Sequence, residues 1–196
     1  MTASRFPAWP RTGLRMGICV GLLLQMAVTA SAQRHRDPFT QAEIDQIRDA
    51  SWEPEQRLAL YVKFARARLV ALEQMRSDPK AKNRPQQTHD RLDDFQLIYD
   101  ELNDNIATYV DRKNDIRKPL KVVVDADTEF QAKLRALQQA AEVSADEIKQ
   151  YEFVLTNALD TVDTSAEDHR KILTEQEEAA KHRKKSEAKP SGSGAE

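Results

Sequence analysis

Apolar and polar residues alternate along this chain with helical rather than strand spacing. The widest apolar stretch is PEQRLALYVKFARARLVALEQM, residues 54–75. Leu58, Leu60, Tyr61, Val62, Phe64, Ala65, Leu69, Leu72 and Met75 cover more than half the circumference of a 3.6-residue helix. Such an arc demands two or more packing neighbours at once. Arg68 falls inside it and must snorkel out or find a partner.

Three further seams follow at 3-4 spacing, the pattern of coiled-coil-like packing. One carries Leu92, Phe95, Tyr99, Leu102, Ile106, Tyr109, Lys113 and Ile116. The next, predicted as helix over 119–142, carries Leu120, Val123, Asp127, Phe130, Leu134, Leu137 and Ala141. The last carries Ile148, Tyr151, Leu155, Ala158, Val162, Ser165, His169 and Ile172, in a helix expected to run to about 181.

Local signals mark the boundaries. Thr40 and Glu43 form a T-x-x-E capping box, with Phe39 and Ile44 as its staple, opening a short helix over about 40–50. Ser144 and Glu147 repeat the box, with Val143 and Ile148 as staple. Pro54 suits a first helical position. Residues 76–88 are polar, hold two prolines and read as an exposed loop. The expected fold is therefore all-α: an antiparallel four-helix bundle, or coiled-coil-like helices, with a short N-terminal helix and a disordered C-terminal tail.

Composition sharpens this. All five glycines lie in residues 1–32 or among the last few, so the body over 33–190 has none. Glycine-rich phosphate loops are thereby excluded from the body, and tight two-residue hairpins are disfavoured. The only cysteine is Cys19, so residues 33–196 have neither a disulfide framework nor a thiol nucleophile.

Residues 1–32 read as a signal peptide. Arg5, Arg11 and Arg15 form a basic start, an apolar run follows, and Ala30-Ser31-Ala32 is a small-x-small cleavage pattern. The apolar run is short for a membrane span, which needs about 20 residues. The expectation is an exported protein, periplasmic or extracellular, with no transmembrane span after signal removal. These 32 residues carry three arginines and no acid, so the formal net charge of −2 becomes −5 without them. Residues 33–182 are expected to form the bundle and 183–196 a disordered charged tail.

No chemistry is announced. His89 and His169 lack the Glu-x-x-His spacing of carboxylate-bridged metal bundles, and Glu178 with His182 makes only one turn of a thinning helix end. Ser165 and His169 stand one turn apart, but no glycine-bounded serine elbow exists. An acidic body with its aromatics on apolar seams argues against nucleic acid. No cofactor, metal or catalytic residue is expected. Polar residues interrupt three seams, and counting from a turn at Pro119 gathers Lys113, Asp127, Ser165 and His169 at one end, beside Trp52. They are expected either to line a small polar pocket or to set helix register.

Leu173-Thr174-Glu175-Gln176 differs by one place from the Leu-Thr-x-x-Gln motif of small periplasmic helical chaperones, and no family follows from it. The functional expectation is a non-enzymatic protein-binding or scaffold module, self-association included. The alternative is a small periplasmic stress chaperone or ligand sensor.

Overall fold

The computed structural model describes residues 37–140 and 144–187. The signal-peptide reading and the tail beyond 187 lie outside the described residues. Within them the structure is all-α, and no helix is long and apolar enough to cross a membrane.

The helices are α1 (Gln41–Asp49), α2 (Pro54–Ser77), α3 (Arg84–Asp111), α4 (Arg117–Gln138), α5 (Ala145–Ile148) and α6 (Glu152–Glu187). Thr40 caps α1 with both halves of the box formed: Thr40 N–H donates to Glu43 Oε2 (2.8 Å) and Glu43 N–H to Thr40 Oγ1 (3.3 Å). The ring of Phe39 meets Tyr61 and Phe64 edge-on.

Several boundaries move. The expected 76–88 loop shrinks, because α2 runs to Ser77 and α3 starts at Arg84. Pro85 is tolerated in the first turn, where its missing N–H costs nothing. The last helix does not run straight through from 145: α5 ends at Ile148 and α6 begins at Glu152. Ser144 Oγ accepts the Glu147 N–H, but the Glu147 carboxylate bonds Arg76 instead. The Val143 staple lies outside the described residues. The far end of α6 reaches Glu187, so the expected tail begins as helix.

The core is continuous and belongs to four helices. Leu58, Ala65, Leu92, Phe95, Ile98, Tyr99, Leu102, Leu120, Val123, Phe130 and Val162 are all fully enclosed. Each fully buried Leu or Phe contributes about 1.5–3 kcal/mol. The wide arc of α2 is satisfied as its breadth demands, since it packs on α1, α3 and α4.

Directions alternate, but the ring order is not the chain order. α2 neighbours α3 and α4, while α6 neighbours α4 and α3. Cross-links fix the sense of each pair. Arg57 bonds Asn105 and Arg76 bonds Thr88, so α2 and α3 are antiparallel. Lys121 pairs with Glu177 and Arg135 with Asp163, so α4 and α6 are antiparallel. Lys118–Glu55, Arg66–Glu129 and Lys133–Glu73 run parallel between α2 and α4. Asn103–Ser165 and Asn114–Gln176 do the same for α3 and α6. Two antiparallel hairpins thus lie side by side, and the link from α3 to α4 crosses the ring's diagonal.

That link is closed by its own geometry. Lys113 is left-handed (φ 59°), with Lys113 N–H on the Val110 carbonyl and Asn114 N–H on that of Tyr109, a Schellman stop. Gln176 of α6 then clamps it, donating to the Asn114 carbonyl and accepting from Ile116 N–H, both at 3.1 Å. The residue that spoils the chaperone-like motif therefore has a structural task.

Candidate functional site

The polar interruptions of two seams meet in the middle of the bundle, on a tyrosine of a third. Tyr99 of α3, Asp127 of α4 and His169 of α6 form one buried layer, 0 %, 0 % and 3 % exposed. Tyr99 Oη donates to Asp127 Oδ1 at 2.7 Å, and His169 Nδ1 stands 2.9 Å from Asp127 Oδ2. A carboxylate accepting from both, with the ring proton on Nδ1, satisfies all three groups. Such pairing is what a buried acid needs, because an unpaired buried charge is very costly.

Aromatic rings seal the layer. Tyr99 stacks on Phe95 at 5.7 Å, Phe130 meets both edge-on, and His169 lies edge-on to Tyr99 at 6.5 Å. Burial, and then the negative charge of Asp127, hold the Tyr99 phenol far above its ordinary value; the neighbouring Ser165 hydroxyl acts in the opposite sense. A phenol held this firmly protonated is a permanent donor.

Ser165, half-buried one turn from His169, accepts from Asn103 Nδ2 at 3.0 Å. Asp127, His169 and Ser165 are thus the residue types of an acyl-transfer triad. Their bonds are those of a strut: Ser165 Oγ is held by Asn103 rather than by His169, and Tyr99 claims the outer carboxylate oxygen.

Of the five residues expected together, Asp127, Ser165 and His169 come together and two do not. Lys113 is exposed in the left-handed turn, 14 residues along from Tyr99, or about 21 Å at 1.5 Å per residue. The expectation took Pro119 as the turning point. Because α3 stops at Asp111, the chain turns at Lys113 itself, and Asp127 faces Tyr99 instead. Trp52 is 93 % exposed in the turn before α2 and lines nothing in the core. The layer's own missing members were Tyr99 and Asn103. A tyrosine on an apolar seam needs a hydroxyl partner when buried, and Asp127 on the facing seam was the available acceptor.

A second region stands out at the end where α2 starts, α4 starts and α6 finishes. Lys118 pairs with Glu55 there at 2.6 Å, Lys121 with Glu177 at 2.8 Å and Lys181 with Glu178 at 2.7 Å. Arg117 grips Asp115 through two N–H groups and holds its carboxyl down at about 2. Arg183, Lys184 and Lys185 add further positive charge on the exposed end of α6. Trp52, in the turn before α2, is 93 % exposed, and Val122 of α4 is 50 % exposed.

Among the described residues, no group of three or more His, Cys, Asp or Glu side chains is placed to hold a metal ion. No family model, curated protein or solved structure matches the chain.

Proposed function

We propose that the chain is an exported, non-enzymatic helical module that binds another protein through the end formed by Trp52, the start of α4 and the finish of α6. The observation that carries this reading is that Trp52, in the turn before α2, is 93 % exposed at the end where Glu55 of α2 pairs with Lys118 of α4. A large aromatic left in water is the chemistry of an interface anchor, and tryptophan is enriched among residues that dominate binding energy. It fits a partner offering an apolar notch. The groups able to do acid–base chemistry are meanwhile committed to one another inside the core. Export is read from the basic start, apolar run and Ala30-Ser31-Ala32 of the sequence.

A photo-crosslinking residue at position 52, compared with one at exposed Phe153 by the start of α6, tests the surface in living cells. The expected result is one defined adduct from position 52, weakened when Lys118 and Lys121 become glutamate. An adduct of twice the chain's mass would identify a second copy as the partner. Identical adduct patterns from both positions, or none from position 52, would refute the surface. Fusing residues 1–40 to a reporter active only outside the cytoplasm tests export separately.

A further inference from the structure

At the other end of the bundle, the last turns of α2 and α4, the first turn of α3 and α5 enclose a cleft of about 650 Å³. This falls within the range of small-molecule sites, about 300–1,000 Å³. Its floor is aliphatic: Leu69, Leu72, Leu134 and Leu137. Its rim carries three cations, Arg76, Arg84 and Lys133, against two acids, Glu73 and Glu147.

The cations are not equivalent. Lys133 Nζ is shared between both oxygens of Glu73, each at 2.7 Å. Arg76 bonds Glu147 and the buried hydroxyl of Thr88, and its guanidinium lies over the ring of Tyr151. Arg84 donates through Nη2 to the Asp78 carbonyl at 2.8 Å, while its Nε is buried with no hydrogen-bond partner among the described residues. A buried donor left unmatched is costly and rare in native structures. The Nε is sealed from the cleft, but Arg84 is the one lining cation without an acid partner among the described residues, so the cleft holds one surplus positive charge beside an apolar floor.

We infer that this cleft binds a single-chain aliphatic carboxylate, its head accepting from Arg84 and its chain lying over the four leucines. One surplus cation matches a monoanion. A phosphate monoester would bring two charges toward Glu73 and Glu147. A neutral alcohol supplies an acceptor without the charge that makes the arginine bond strong. The volume favours one alkyl chain, and each methylene covered contributes binding. The site is independent of the Trp52 surface, which lies at the opposite end.

The test is isothermal titration of the full chain with dodecanoate below its micelle concentration, beside dodecanol and dodecyl phosphate. Dodecanoate should bind one to one, and both analogues about tenfold or more weakly. Arg84→Gln should lower dodecanoate affinity by a similar factor, with a melting midpoint within about 4 °C of the parent chain despite the lost bond to the Asp78 carbonyl. Leu137→Trp, which fills the floor, should abolish binding at the cleft. Equal affinity for dodecanol, indifference to both substitutions, or no heat of binding up to the micelle concentration would overturn the site. Tighter binding of dodecyl phosphate would replace the carboxylate with a phosphate head.

Discussion

The mid-bundle layer and the end cleft both place charged side chains against leucines and aromatics, yet they use them in opposite ways. At Tyr99, Asp127 and His169, one carboxylate satisfies a phenol and an imidazole within 3 Å, and rings close over the top. At Arg84 a guanidinium N–H is enclosed and left without an acceptor. In the first arrangement the three titratable groups satisfy one another and specify which helix faces lie together. The second keeps bonding capacity in reserve. Polarity in a bundle interior is therefore not a sign of function by itself; a cation left without an acid beside an open cleft is the stronger pointer.

The comparison predicts effects of very different size. Asp127→Ala should be the most damaging substitution, losing about 3–5 kcal/mol in urea unfolding, because it strands two buried donors. Replacing the set together, as Tyr99→Phe, Asp127→Leu and His169→Leu, should recover most of that loss. A small effect from Asp127→Ala would mean the layer is not saturated.

Next comes the enclosed pair that ties α1 to α2. Arg68, the cation stranded in the apolar arc, reaches Glu43 at 2.6 Å and the Pro38 carbonyl at 2.7 Å. Burial pushes the Glu43 carboxyl up, but the hydrogen bonds and charge of Arg68, with the Thr40 amide, outweigh it and hold the carboxyl below its ordinary value. A carboxyl depressed by folding stabilises above its unfolded value, and that contribution fades as pH falls through the folded one. Glu43→Gln should thus cost about 1–2 kcal/mol at pH 7 and progressively less as pH drops below about 4. A cost independent of pH would mean that shape, not charge, holds α1.

Arg84→Gln should lower ligand-free stability by no more than about 1 kcal/mol, since the only partner it loses is the Asp78 carbonyl at the helix entry. A large loss would place Arg84 with the saturated groups. Trp52→Ser should change least of all, under about 0.5 kcal/mol by thermal melting, because the side chain is already in water.

The seams were legible in the sequence because burial repeats with the helix. Leu92, Phe95, Tyr99, Leu102, Ile106 and Tyr109 are all buried, as their spacing requires. The capping box at Thr40 was legible because its bonds are local. Ring order was not, since periodicity says which face points inward but not which helix it meets. The depth of the polar layer also escaped, through one backbone event: Lys113 takes a left-handed conformation that favours glycine, in a body without glycine. The cleft depends on three helix ends and α5 meeting, a conjunction with no linear signature.

The link between α3 and α4 has a further consequence. Residues 112–116 must carry the chain across the ring, and five residues reach at most about 17 Å. Helices 8–10 Å apart have a diagonal of about 11–14 Å, so the tether is nearly as short as the crossing permits. Its length selects the topology. Removing two residues would make the diagonal unreachable and drive α4 to the adjacent place beside α3. Tyr99 and Asp127 would then no longer face each other across the core. The handful of residues outside every helix thus determines which partners the helices have.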